Sequence, residues 1–254
     1  MRPLALVAIA VASACDFRLA GEVPHGDGPT GTPGDGAMTD ARPDAPTDAA
    51  EPVAHLVQQA QGYIASGSPV SATFGAAPAA DDVLILVGAA EHGGIATVTG
   101  GGATWSRAAR SLQNSNIEIW YGASDGSSST VTITFSGTNP YPMWLVITEW
   151  AGLATTSTLD AATASNGASS PASAGTIATS NAADLVVFGA SDMAPNTWGA
   201  PGPGTWSGLP TVTSTVITQA AWYRFESATG SFAPQVGETA HAWDAAIAAF
   251  RTAP

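Results

Sequence analysis

Ala79-Ala-Asp-Asp-Val-Leu-Ile-Leu-Val-Gly-Ala89 returns later in the chain as Ala182-Ala-Asp-Leu-Val-Val-Phe-Gly-Ala190. In both copies a carboxylate opens a short run of aliphatic and β-branched residues, and a Gly-Ala pair closes it. Short apolar runs bounded by turn formers read as buried strands. Three further landmarks repeat at the same spacing of about 100 residues. Thr104-Trp105-Ser106 returns as Thr205-Trp206-Ser207, Trp120-Tyr121 as Trp222-Tyr223, and Trp144 as Trp243. An offset this constant marks a duplicated unit.

Working outward, strand-like runs fill residues 53–254: Val70–Phe74, Val83–Val87, Ile117–Tyr121, Thr130–Phe135, Trp144–Trp150, Leu185–Phe188, Val212–Ile217, Ala221–Phe225 and Ala242–Phe250. Thr130-Val-Thr-Ile-Thr-Phe135 alternates polar and apolar, as a sheet with one wet face does. Asp244-Ala-Ala-Ile-Ala-Ala-Phe250 has helix propensity, but it is short and its neighbours are strands, so it reads as a strand. Lysine is absent, and Gly, Ser, Thr and Pro punctuate the chain. The fold class expected is all-β: an antiparallel β-sandwich of jelly-roll type built from two sequence-similar halves. Each half is expected to supply about four strands, too few to close a core alone. Two tandem domains are the competing reading, with Thr155–Ser180 as the linker.

The order of these features resembles a group of bacterial β-sandwich domains found in secreted, surface and phage-associated proteins. The shared features are the Asp-led apolar run, Gly101-x-x-Thr-Trp105, an aromatic strand, Thr130–Phe135, Glu149-Trp-Ala-Gly152 and the closing Ala245-Ala-x-x-Ala-Phe250. The resemblance implies the fold and supplies no catalytic residues.

The N-terminus carries a different signal. Arg2, the apolar stretch Leu4–Ala12 and small Ser13 and Ala14 form a secretory signal pattern over residues 1–14. Ala12-Ser-Ala-Cys15 resembles the lipobox of bacterial lipoproteins, which implies cleavage before Cys15, diacylation of its thiol and acylation of its new amino group. The alternative is an ordinary secretory signal that leaves a free thiol. Cys15 is the only cysteine, so neither a disulfide framework nor a thiolate metal site is available to the fold. Residues 15–52 are rich in Asp, Pro and Gly and carry eight acids against Arg18 and Arg42. Such a segment buries too little surface to offset its ordering entropy and is expected to be a disordered linker with a reach of roughly 30–40 Å. The chain is therefore expected to be exported and held in the cell envelope by lipid, with the membrane and its face left open.

Candidate chemistry is sparse. Gly122-Ala-Ser124-Asp-Gly126 matches G-x-S-x-G, but the hydrolase motif needs a strand-to-helix elbow, and here it joins two strands. His25, His55, His92 and His241 show no paired metal-ligand spacing. Glu149 would need a second carboxylate across a cleft for glycoside hydrolysis. Asp81, Asp82 and Asp184 open corresponding strands, where they either bind calcium or shape the turn. Trp198 has no counterpart in the first copy and lies in the loop Asn196-Thr-Trp-Gly-Ala-Pro-Gly-Pro-Gly204. With Asp192 and Asn196 it is the candidate ligand-binding group, suited to stacking on a sugar ring; otherwise it folds back to cap the sandwich. No motif asks for a cofactor, and no catalytic constellation is visible.

Twelve acids against Arg107, Arg110, Arg224 and Arg251 leave a charge of −8 on residues 53–254. This sign disfavours nucleic acid, whose binding is driven by neutralising phosphates, and direct docking on anionic lipid. The partners expected are a membrane through the N-terminal lipid and, for the domain, a polysaccharide or an envelope protein. A secreted carbohydrate-active or ester hydrolase and a purely structural envelope module are the alternatives.

Overall fold

Each repeated apolar run becomes the central strand of its own antiparallel sheet. The computed structural model describes residues 53–254 apart from His92, Thr138, Asn139, Pro140, Thr215 and Ala240. The signal pattern, Cys15, the 15–52 spacer and His25 lie outside the described residues. The first half holds β1 (His55–Ile64), β2 (Val70–Thr73), β3 (Val83–Ala90), β4 (Ile95–Gly100), β5 (Ser106–Ser111), β6 (Ile117–Ala123), β7 (Thr130–Phe135) and β8 (Met143–Ala151). The second half begins with β9 (Leu159–Gly167), β10 (Ala172–Ser173), β11 (Ile177–Ala178), β12 (Asp184–Asp192) and β13 (Ser207–Gly208). It continues with β14 (Val212–Thr213), β15 (Thr218–Glu226), β16 (Ser231–Phe232), β17 (Gln235–Val236) and β18 (Trp243–Arg251). No helix occurs among the described residues.

Five strands of the first half form a sheet in the order β1-β8-β3-β6-β5, and three more form β2-β7-β4. Along the chain the strands of β1-β8-β3-β6 alternate with those of β2-β7-β4, and β5 extends the first sheet beside β6. The second half repeats this arrangement as β9-β18-β12-β15, with β13 and β14 on β15 and the short pairs β10-β17 and β11-β16 opposite. Each half is therefore a sandwich in itself, larger than the four or so strands its repeats suggest. The Thr155–Ser180 stretch is not a linker, because it contains β9, β10 and β11. The ladders of the two halves also match: Leu86 lies between Trp120 and Ile147, and Phe188 between Trp222 and Ile247.

Four layers enclose three apolar cores. Leu84 and Leu86 face β2, β4 and β7 across the first core, with Val131, Ile133 and Leu145. Val186 and Phe188 face the short pairs across another, with Trp206, Trp222 and Ile247. Between the halves, Val83, Ile85, Val87 and Trp144 meet Leu185, Val187, Ala246, Ala248 and Phe250. The middle two sheets are thus covered on both faces. That is why β3, β8, β12 and β18 read as unbroken apolar runs, as strands buried on both faces do. Each large aliphatic side chain so buried is worth about 1.5–3 kcal/mol. It also explains the helix-like look of residues 244–250, which lie in β18 with every side chain but that of Asp244 apolar.

Two features fix the contact between halves. Gly189 gives the close approach, since a Cβ there would lie 2.9 Å from Val87 Cγ1 and 2.9 Å from Ile117 Cδ1. Asp244, fully buried on β18, accepts backbone N–H bonds from Gln113, Asn114, Ser115 and Asn116 at 2.7–3.2 Å and the hydroxyl of Ser111. A carboxylate of the second half therefore closes the β5–β6 turn of the first.

Candidate functional site

The loops at one end of the second half bring together the residues with most chemical potential. Asp192 ends β12, buried, and pairs in register with Thr218 and Trp243. Its two carboxylate oxygens accept the Ala194 amide at 3.1 Å and the Asn196 side-chain amide at 2.8 Å. Thr218 laces the same loop to β15: its hydroxyl donates to Ala194 O at 2.9 Å and accepts from the Asn196 amide at 2.8 Å. Asn196 thus occupies a fixed position, with its side chain shared between Asp192 and the backbone N–H of Thr197.

Asn196 also forms one wall of a groove. Asn196, Thr197, Trp198, Thr211, Thr213, Thr218 and Trp222 line a volume of about 140 Å³. A shallower depression of about 460 Å³ adjoins it through Asn196, Thr197 and Thr213 and reaches Pro195 and Thr239. The lining offers hydroxyls, one amide and indole faces, and no charged side chain. Trp198 is half-buried and packs against the second-half core, and its indole nitrogen is buried without a partner. It therefore caps the sandwich and lines the groove at once.

The loop entering β18 carries Glu238 and His241 to the Asp192 carboxylate. One ligand-type atom from each of the three lies within 4.8 Å of the others. Burial raises the Asp192 carboxyl above the usual carboxylate range against the hydrogen bonds from Asn196 and Ala194. Glu238 is raised as well, by burial first and by the nearby Asp192, against the His241 amide that it accepts. Nothing in the local sequence singled out Glu238 or His241. Only the β12–β18 pairing brings them to Asp192, and a Glu-x-x-His spacing carries little information off a helix.

The remaining candidates sit apart from this end loop. Asp81 is exposed in a left-handed turn at φ 69°, and its amide donates to Ser124 O. Asp82 turns inward against Glu149, and its carboxyl is pushed up by burial and by that neighbour. Glu149, 1% exposed, accepts the Ala79 amide at 2.7 Å and the side-chain amide of Gln58. The two carboxyls lie in direct hydrogen-bonding reach, closer than the roughly 5–9.5 Å that glycoside hydrolysis uses. Asp184 takes a bond from Asn181 at 3.2 Å, and burial and nearby Asp160 push it up to about 6. Burial also acts on Asp160, but Ser180, Arg251 and Asn181 outweigh it and hold that carboxyl below the usual range. Among the described residues, Asp81, Asp82 and Asp184 form no convergent ligand set.

Ser124 borders a depression of about 440 Å³ between β5, β6 and residues 155–158. Its hydroxyl donates to Gly101 O at 2.8 Å and accepts the Gly126 amide at 3.0 Å. The serine holds a turn. Comparison of the chain with protein-family models, curated proteins and solved structures gives no match. The site is therefore read from its own geometry.

Proposed function

We propose that the protein is a non-enzymatic glycan-binding module displayed at the bacterial cell envelope, exported through the signal pattern of residues 1–14 and anchored by lipid on Cys15. The spacer of residues 15–52 stands the β-sandwich off the membrane. The observation that carries the binding role is the groove of Asn196, Thr197, Trp198, Thr211, Thr213, Thr218 and Trp222. Hydroxyls and an amide match the alternating donors and acceptors of a sugar, and indole faces suit its apolar C–H surface. The absence of charge from the lining favours a neutral polysaccharide. The net charge of −8 on residues 53–254 is consistent with this, since it opposes polyanionic partners.

Calorimetric titration of the full chain against neutral envelope and extracellular polysaccharide fragments tests the reading. Wild type should bind at least one of them. Trp198→Ala and Asn196→Ala should each weaken that binding about tenfold or more, which corresponds to about 1.4 kcal/mol. Circular dichroism should show both variants folded. No binding by wild type, or equal binding by both folded variants, would contradict the groove as the site. An ester or glycoside hydrolase is disfavoured by the committed Ser124 hydroxyl and by the contact between Asp82 and Glu149.

A further inference from the structure

The junction of Asp192, Glu238 and His241 goes beyond a sugar groove. Several other buried acids have cationic or N–H partners. Glu118 faces Arg107 and Arg110, Asp160 is paired with Arg251 at 2.8 Å, and Asp244 is surrounded by backbone N–H groups. No arginine reaches Asp192 or Glu238 among the described residues. Two buried atoms in the cluster, Glu238 Oε1 and His241 Nδ1, have no hydrogen-bond partner. A buried polar atom left unpaired is costly, and two carboxylates held together add repulsion to that cost.

We propose that Asp192, Glu238 and His241 bind a divalent transition-metal cation, zinc in the first instance. One imidazole nitrogen and two carboxylate oxygens form a mixed N/O set that suits zinc, whereas calcium takes six to eight oxygen ligands. The ligand atoms of a tetrahedral zinc stand roughly 3.3–3.5 Å apart, given bonds of about 2.0–2.1 Å. The three groups, within 4.8 Å of one another, reach that spacing through small rotations of Glu238 and His241 on their loop. His241 Nδ1 and Glu238 Oε1 are the free ligand atoms. Glu238 Oε2 remains on the His241 amide at 3.1 Å. The Asn196 and Ala194 N–H groups orient the Asp192 carboxylate, the outer-shell arrangement that metal-binding carboxylates use. The cation clamps the loop after β12 to the loop before β18, and three protein ligands leave a position for water.

The test is zinc binding by the full chain after chelator treatment, measured by equilibrium dialysis and elemental analysis. About one zinc per chain is expected at micromolar concentration, and millimolar calcium should not displace it. Zinc should also raise the thermal unfolding midpoint of the wild type. His241→Gln and Glu238→Gln, which spare the fully buried Asp192, should each weaken binding at least tenfold and abolish the thermal shift. A variant with His25, His55 and His92 all changed to Gln should keep both. Absence of stoichiometric zinc, its retention in His241→Gln and Glu238→Gln, or displacement by equal calcium would overturn the assignment. These readouts do not depend on any glycan, so the fate of the groove leaves them intact.

Discussion

At the scale of single residues, Asp244 does the most to hold the molecule together. It is fully buried, and its carboxylate gathers four backbone N–H groups and a serine hydroxyl from the opposite half. Asp244→Ala leaves those largely buried donors unpaired, so it should destabilise the protein by about 3–5 kcal/mol. Urea unfolding measures this directly, and a loss under about 1 kcal/mol would contradict the assignment. The role was invisible in the sequence because every donor lies some 130 residues away. Trp198, Asn196 and Asp192 were legible as a group because they cluster locally in a loop lacking a counterpart in the other repeat. Glu238 and His241 were not legible, since strand pairing alone unites them with Asp192.

At the scale of elements, the repeat is a statement about register. Counted from Asp82 and Asp184, corresponding residues of β3 and β12 share a face: Val83, Ile85 and Val87 point between the halves, as Leu185, Val187 and Gly189 do. The matching of Trp144 with Trp243 breaks this rule. Leu86 faces Ile147 and Phe188 faces Ile247, so the counterpart of Trp144 is Asp244. Trp144 accordingly packs between the halves and Trp243 in the outer core of the second, because a shift of one residue reverses the face of a strand. The strand runs and the all-β class were legible from punctuation and periodicity. The edge strands β1, β5 and β9 were not, as their half-exposed polar sequences resemble loops. Gly189 provides the element-level prediction. Gly189→Ala places a methyl against Val87 and Ile117 and should cost about 1–3 kcal/mol, whereas Gly199→Ala, with open space around it, should cost far less. Equal thermal midpoints for the two variants would contradict the close approach of the halves.

At the scale of the whole molecule, charge sets the response to pH. Asp184 is raised to about 6 and Asp82 is raised as well, so between about pH 4 and 6 the folded chain keeps protons that the unfolded chain releases. Stability contributed by these groups is complete below the ordinary aspartate range and is lost as pH rises through the folded values. Asp160 acts in the opposite sense, and its contribution is lost only in stronger acid. The thermal midpoint should therefore rise as pH is lowered from about 7.5 to about 4.5. Asp82→Asn should raise the midpoint at pH 7.5 and flatten the profile; a midpoint that falls steadily over this interval would contradict the picture. The proposed display of the sandwich outside the cell rests on lipid at Cys15. Mass spectrometry of the mature N-terminus from cell-envelope fractions tests that display most directly. A chain beginning at Cys15 with diacylglycerol on its thiol is the result the account predicts, and an unmodified N-terminus on protein free in the medium would contradict it.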